Sequence, residues 1–491
     1  MKVLAAIANY GNGNRHYVER LIQEYHGMSF DTDVVILSDR HKQFGADVEV
    51  KVGLPTRDPW SLPFAHKQLF ADRIEDYDLF IYSEDDTLIL EHQIQAFVEA
   101  TAAVPHPRIV GFMRYEQGTA GERYCSTVHS YFRWKPETVE RIGSYTLAEF
   151  SNAHAAAFIL TRRQLRHAID SGGFLVAPHS EHYDLPCTAA TDPYTQCGMR
   201  KVVPISHLDS FLLHHMPNKY VGTLGVPLAE LRAQIAVLQS GAADGFGQLF
   251  PTEKTLNHSR YHKSYYEAVN QELLAHLPRS GAVLSIGCGS GALEAHLLRR
   301  GLEVSAIGLD AVIEQSARLR GVATLVGAAS EGGQPDLSRA VGGRTFDAVV
   351  LNNIVQHVKD PQALLRQATE VLSGSGVIVG TVPNFAKLPR RAERRQLRRL
   401  GYTQTLLHPT DRSMIKGWLR SAGYRARVLH SVSPRQRRLS RLSGGLVDDL
   451  LANELLFVGT RPQEYSRTLP KRWWGLAADR TCKDAQQTSV V

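Results

Sequence analysis

Two doubly wound α/β domains in tandem are the fold class predicted by the 491-residue sequence. Three observations carry that prediction. Buried-strand runs alternate with helical spacing from residue 2 to residue 104. A second alternation of the same kind begins near residue 264, with a glycine-rich turn between its first strand and the helix that follows. Between the two, from about 217 to 255, the periodicity weakens and Gly and Pro accumulate. Strands alternating with helices imply parallel sheets with ligands at the carboxyl ends of the strands.

In the first half, KVLAAIA (2–8) is a short buried strand and HYVERLIQEY (16–25) has helical spacing. DVVILSD (33–39) is a strand ending in a polar pair. FAHKQLFADRI (64–74) reads as helix, DLFIYSEDD (78–86) as strand and IQAFVEATAAV (94–104) as helix. Asn9, the Ser38–Asp39 pair and the carboxylates Glu84, Asp85 and Asp86 all fall at strand ends. In the second half, SYYEAVNQELLAHL (264–277) has the pattern of an amphipathic helix. Strands are expected in AVLSIGCG, EVSAIGLD (303–310), ATLVGAAS (323–330), FDAVVLNN and GVIVGTVPN (376–384), with a helix in PQALLRQATEVL. The expected boundaries are 1–220 for the first domain and 221–256 for a linker containing the helix LAELRAQIAVL. The second domain takes 257–462 and a flexible tail 463–491.

Composition is ordinary for a globular chain, with 43% hydrophobic and 21% charged residues. No apolar run reaches the length of a membrane span, and the N-terminus reads as a strand entering a loop, not as a signal peptide. Five scattered cysteines without a CxxC pair fit a reducing, cytoplasmic setting and give no zinc framework by spacing. The net charge of +7 hides an asymmetry: residues 1–250 hold 22 basic and 29 acidic side chains, and the remainder 34 and 20. Opposite signs in the halves suggest modules with different partners.

LSIGCGSG follows a strand and opens a helix, so Gly287, Gly289 and Gly291 have the spacing of a tight turn that lets backbone approach a ligand. With FDAVVLNNIVQHVKDPQALLRQATEVLSGSGVIVGTVPN and HPTDRSMIKGWLRSAGY in order behind it, residues 258–430 resemble the class I S-adenosylmethionine-dependent methyltransferases, near the ubiquinone-type O-methyltransferases. The resemblance implies S-adenosylmethionine as cofactor, held by the glycine turn. It departs from the family at two acids: Ser285 stands before the glycines, and strict alignment puts Gly308 at the end of the second strand, leaving Asp310 to meet the ribose. Asn352 borders the cofactor side, and His357 is either a base for an acceptor hydroxyl or a structural histidine of its turn. The basic run KLPRRAERRQLRRLG (387–401) is either a solvated helix or a peripheral contact with anionic membrane at the inner face. No aromatic residue interleaves it, so no nucleic-acid partner is expected.

In the first half, IYSEDD is a hydrophobic strand followed by an acid-x-acid pair. It is either a charged turn or, as it resembles the DxD element of GT-A-fold glycosyltransferases, a metal grip. A departing nucleoside diphosphate needs a hard divalent ion, Mn²⁺ or Mg²⁺, on oxygen ligands. The resemblance implies Asp86 as ligand and Glu84 as the supporting acid, with Asp85 given no role. It also implies His214 or His215 as a late histidine ligand, with Asn9 and Asp39 at the nucleotide and Lys67 at the diphosphate. PHSEHYDLPCTAATDPYTQCGM (178–199) reads as an acceptor loop whose Glu181, Asp184 and Asp192 are candidate general bases.

The expected function is bifunctional: sugar transfer from a nucleotide-sugar donor to a glycan or lipid-linked glycan acceptor, then methylation of a hydroxyl, in bacterial surface polysaccharide synthesis. Two alternatives stand beside it. In one the methyltransferase-like domain is non-catalytic; in the other the first domain only recognises the substrate of a methyltransferase.

Overall fold

The computed structural model describes residues 1–129, 132–241, 249, 261–325, 336–431, 442 and 447–461. The first half runs β1 (Lys2–Asn9), α1 (Arg15–His26), β2 (Asp31–Ser38), β3 (Val48–Val52), α2 (Ala65–Asp72), β4 (Leu79–Glu84) and β5 (Thr87–Leu88). It continues with α3 (Glu91–Ala103), β6 (Arg108–Val110), β7 (Met113–Gln117), β8 (Arg123–Ser126), β9 (Trp134–Ile142), β10 (Tyr145–Phe150) and β11 (Ala157–Thr161). Then come α4 (Arg162–Asp170), α5 (Leu185–Thr195), β12 (Arg200–Pro204), β13 (Leu212–His215), β14 (Gly225–Pro227) and α6 (Leu228–Gln239).

The main sheet has the order β11-β4-β1-β2-β3, with β1 parallel to β2 and β4, and β11 antiparallel to β4. β1 sends Val3, Ala5 and Ile7 into one core and Leu4, Ala6 and Ala8 into another on the opposite face. A strand covered on both faces needs apolar residues at every position, which is why KVLAAIA shows no alternation. α1 seats Val18, Leu21, Ile22 and Tyr25 on the sheet, the i, i+3, i+4, i+7 stripe of an amphipathic helix.

β1 and β4 flank the point where the chain reverses its direction of travel across the sheet, the usual crevice for a ligand. Register sets Ala8 against Glu84 and Asn9 against Ser38, so the loop after β1 and the carboxylate trio share one edge. Two smaller sheets, β6-β12-β10-β9 and β14-β8-β7-β13-β5, complete the first half. β5 follows the trio directly and pairs antiparallel with β13, His215 opposite Thr87. That pairing is what brings the late histidines to the carboxylates.

α6 is a packed element within the segment expected as a linker. Leu228, Leu231, Ile235 and Leu238 enter the first core together with Val312 from the second half. The remaining linker positions 242–248 and 250–256, the tail 463–491 and positions 326–330 of the third-strand expectation lie outside the described residues.

The second half holds α7 (Gln271–Leu274), β15 (Ala282–Cys288), α8 (Ala292–Arg299), β16 (Glu303–Gly308), α9 (Ala311–Leu319), β17 (Ala323–Thr324), α10 (Leu337–Val341) and β18 (Phe346–Asn352). After these come α11 (Pro361–Glu370), β19 (Leu372–Pro383), α12 (Arg391–Leu400), α13 (Tyr402–Thr405), α14 (Arg412–Ser421), β20 (Arg425–Ser431) and β21 (Glu454–Thr460). Seven strands form one sheet, β17-β16-β15-β18-β19-β21-β20, parallel except for β21, which runs antiparallel to both neighbours. This is an α/β, Rossmann-like sheet, and its reversal point lies between β15 and β18. The sequence reading stopped at five strands and missed β20 and β21.

The helix expected over 264–277 shrinks to Gln271–Leu274. Its first half is extended across the glycine turn, where the Tyr265 carbonyl accepts from the Ser290 N–H at 2.7 Å. Asn270 then starts the short helix by accepting from the Leu273 N–H at 3.1 Å. Among the described residues no helix is long and apolar enough to cross a membrane.

Candidate functional site

The first site is built at the β1/β4 edge. Asn9 and Asn14 donate to the two oxygens of Asp85 at 2.6 and 2.7 Å, tying the loop after β1 to the trio. Lys42 donates to the Asn9 carbonyl at 2.8 Å, and the Gly11 N–H donates to Asp39 Oδ1 at 2.8 Å. Asp85, given no role by sequence, is therefore the residue that organises this loop. Burial pushes its carboxyl up to about 6 against the pull of the two asparagines.

Asp86 is buried, and its Oδ2 lies 3.4 Å from His215 Nε2. The other ring nitrogen, Nδ1, is 2.6 Å from Glu116 Oε1, itself buried. A carboxylate behind an imidazole fixes the ring and its tautomer, the arrangement found behind metal-bound histidines. Asp86 Oδ1 is buried without a hydrogen-bond partner among the described residues. Burial works against its charge, yet the His215 hydrogen bond, with Lys219 and Arg114 beyond, holds the carboxyl below its ordinary range. Glu84 behaves oppositely: burial and then the Asp86 charge push it up to about 7. The orphaned oxygen and the imidazole beside it fit a divalent cation.

Several expectations need correction. His214 lies on the other face of β13, stacked on Tyr115 with ring centroids 5.0 Å apart and 3.1 Å from Asn218 Oδ1, so only His215 faces Asp86. Lys67 is buried and ion-paired with Asp192, which is 0% exposed and also 3.3 Å from His179. Neither can meet a diphosphate or an acceptor hydroxyl, because each already neutralises the other below the surface. Glu181 is exposed and accepts from Gln196 at 2.9 Å. Asp184 caps α5, accepting from the Cys187 N–H at 3.2 Å, and its charge is felt at Glu84, so of the three proposed bases it alone stays near the trio.

The second site lies over the glycine turn. A Cβ on Gly289 would fall on the Tyr265 carbonyl oxygen, so only glycine lets the 261–267 segment cross there. Gly291 takes φ +82° at the start of α8, and Gly287 completes the turn. Ser285, where the family's acid is missing, donates to Glu294 Oε1 at 2.6 Å. That puts a carboxylate of the first turn of α8 beside Ser285. At Gly308, a Cβ would collide with the Glu314 side chain, whose Oε1 lies 3.3 Å from the Gly308 N–H. Glu314 fills the place of the absent side chain. Asp310 caps α9: its Oδ1 accepts from Val312 and Ile313 at 2.9 and 2.8 Å, and the residue is buried. Sequence reasoning missed Glu294 and Glu314 because both lie on helices, each in the first turn of the helix that follows its strand.

Asn352 Nδ2 donates to Glu267 Oε2 at 2.7 Å, and its carbonyl accepts from Lys263 at 2.6 Å. Lys263 also pairs with Glu267. Lys263, Glu267, Glu294 and Asn352 line one pocket with the turn Gly287–Gly291. Nearby, burial and then the Glu267 charge push Glu454 up to about 7, against a hydrogen bond from Thr381. His357 is 0% exposed beneath this surface, and its carbonyl accepts from the Tyr402 hydroxyl at 2.5 Å. It is placed to hold its turn, not to reach an acceptor. In the basic run, Arg394 and Arg398 both pair with Asp411, leaving Arg391, Arg395 and Arg399 exposed on α12.

Residues 258–429 match the family model described as a methyltransferase domain. The chain is 34% identical over 103 residues to a ubiquinone biosynthesis O-methyltransferase of Xanthomonas oryzae pv. oryzae, covering 21% of this chain and 43% of that protein. It is 32% identical over 108 residues to the corresponding protein of Xylella fastidiosa, covering 22% and 44%. The chain thus spans less than half the length of these curated relatives. A solved SAM-dependent methyltransferase from Archaeoglobus fulgidus is 15% identical with a TM-score of 0.30, covering 39% of this chain and 90% of that one, a likeness too loose to carry weight. Residues 258–429, with their glycine turn after β15, are a class I S-adenosylmethionine-dependent methyltransferase domain.

Proposed function

We propose that the second domain methylates an acceptor hydroxyl at the expense of S-adenosylmethionine. The observation that carries this reading is the grouping of Lys263, Glu267 and Glu294 in the pocket over the glycine turn. One ammonium and two carboxylates complement the carboxylate and ammonium of an amino-acid moiety. Glu314, at the end of β16, suits ribose hydroxyls. When bound, the cofactor would supply a methyl group on a positively charged sulfur. The acceptor oxygen must lose its proton as it gains the methyl group. Calorimetric titration of the full chain with S-adenosylmethionine tests the reading: one equivalent of binding is expected, and no heat at millimolar cofactor would remove it.

A second reading concerns the first domain and rests on the Asp86–His215 pair backed by Glu116. In it, the first domain is a metal-dependent sugar transferase of GT-A type, using a nucleotide-sugar donor and a glycan or lipid-linked glycan acceptor. Asp86 and His215 would hold Mn²⁺ or Mg²⁺, which neutralises the leaving diphosphate. Methylation of the same glycan would give the two domains one pathway, surface polysaccharide synthesis, and the exposed Arg391, Arg395 and Arg399 suit an anionic membrane face. A screen of nucleotide sugars with and without Mn²⁺ tests it; turnover that ignores both the metal and Asp86→Ala would refute it.

A further inference from the structure

We propose that His129, His154 and Cys187 form a zinc site in the first domain, with a ligand set distinct from Asp86 and His215. The three come from the loop after β8, the approach to β11 and the first turn of α5. Their ligand atoms all lie within 4.8 Å of one another. Tetrahedral coordination, with Zn–N near 2.05 Å and Zn–S near 2.3 Å, needs separations of about 3.4–3.6 Å. Side-chain rotation of roughly an ångström closes the set.

The histidine at its centre is built for the task. His154 is buried, and its position is fixed: its N–H donates to Asn152 Oδ1 at 3.0 Å, and the Tyr183 hydroxyl donates to the same oxygen at 3.2 Å. Nε2 of His154 lies 3.3 Å from Glu84 Oε1. Nδ1 is buried without a hydrogen-bond partner among the described residues. A carboxylate on one ring nitrogen and a vacant second nitrogen is the carboxylate–histidine pattern behind zinc ligands. The rings of His129 and His154 stand 5.3 Å apart at 86°, edge to face.

The donor set selects the ion. Two imidazoles and a thiolate favour zinc over Mn²⁺ or Mg²⁺, which prefer oxygen. Zinc binding forms one Zn–S and two Zn–N bonds, and the thiol proton of Cys187 passes to solvent. Three protein ligands leave the fourth position for water or an acceptor hydroxyl. Spacing along the chain gave no hint of this, because the ligands are 25 and 33 residues apart.

The test is cobalt titration of the tag-free full chain, read by the thiolate-to-cobalt charge-transfer band. One equivalent of Co²⁺, displaced by Zn²⁺, is expected to give the band. Cys187→Ser should abolish it, Glu84→Gln should weaken metal affinity about 10–100-fold, and Asp86→Ala should leave it intact. In the unsubstituted chain, zinc should slow alkylation of Cys187 mapped by mass spectrometry, a readout that does not depend on a variant folding. A band that survives Cys187→Ser, or alkylation indifferent to zinc, overturns the site. Binding of Co²⁺ without that band, lost in Asp86→Ala, would instead assign the ion to the Asp86–His215 pair and overturn the site. The proposal does not rest on either functional reading above.

Discussion

The Ser285 hydroxyl donates to Glu294 Oε1 at 2.6 Å, across the glycine turn that both residues line. The serine breaks the family pattern, and the glutamate restores a carboxylate to the same pocket from α8. Glu294→Ala is therefore expected to lose a charge-assisted contact of about 1.5–3 kcal/mol, roughly ten- to a hundred-fold in cofactor affinity. Calorimetry with S-adenosylmethionine reads this directly, and affinity within twofold of the parent would show that the pocket does not use Glu294.

Glu314 and Asp310 separate by readout. Glu314 stands where a side chain at Gly308 would be, and Asp310 caps α9. Glu314→Ala should weaken cofactor binding with little change in stability. Asp310→Ala should lower the unfolding free energy by about 0.5–2 kcal/mol from the lost cap. Thermal denaturation with and without cofactor distinguishes them; the reverse pattern would return the ribose contact to Asp310.

His215 serves two carboxylates, Asp86 at 3.4 Å and Glu116 at 2.6 Å. His215→Ala leaves the buried Glu116 with the Tyr220 N–H at 2.7 Å as its remaining hydrogen bond among the described residues, a loss of about 1–3 kcal/mol in stability. Asp86→Ala removes a carboxylate whose Oδ1 has no hydrogen-bond partner among the described residues, so its stability should change less. Both should abolish any Mn²⁺-dependent turnover. Equal stability losses would mean that the pair is structural.

Glu454 gives a pH signature. Its carboxyl is raised from 4.5 to about 7, so the folded state holds a proton that the unfolded state has released across that window. The stabilisation is complete below pH 4.5 and is lost as pH rises through about 7. Glu454→Gln should flatten this loss, and at pH 8 the variant should exceed the parent by on the order of 1–2 kcal/mol, discounted because the residue is half-buried. Urea denaturation at pH 5 and pH 8 measures the difference; parallel curves would mean that Glu454 titrates normally.

What the sequence made legible was local. β1, β2, β4 and the glycine turn declared themselves because a strand covered on both faces must be apolar throughout, and a tight turn must be glycine. The trio and Asn9 could be assigned to one edge because parallel strands share their carboxyl ends. What stayed hidden was pairing across distance. Nothing in the local pattern tells that Lys67 is neutralised by Asp192, 125 residues away, or that Asp85 is held by Asn9 and Asn14. The 264–277 stretch has helical periodicity, yet its first half serves as a cover on the glycine turn, where a tertiary hydrogen bond to Ser290 overrides propensity.

The contact between the halves gives the last prediction. Arg133, buried in the first half, stands with its guanidinium 5.5 Å from the Tyr265 ring, and its charge opposes the rise that burial imposes on Asp310. Around it, Gln234 of α6 donates to Ser316 of α9 at 2.7 Å and to Tyr266 at 2.6 Å, and Arg320 pairs with Glu230 at 2.8 Å. Val312 lies in the first core. An interface that combines an apolar contact with a buried charge and several hydrogen bonds should make the two halves unfold together. Arg133→Met should cost on the order of 1–3 kcal/mol by removing the one charge that opposes burial at Asp310, which keeps its bonds from Val312 and Ile313. Since Asp310 also starts α9, the substitution should loosen the cofactor side as well. A double-mutant cycle with Asp310→Asn isolates the term: the paired change should cost less than the sum of the single ones. Strict additivity, or two separate unfolding transitions in the parent, would mean that the halves are merely adjacent.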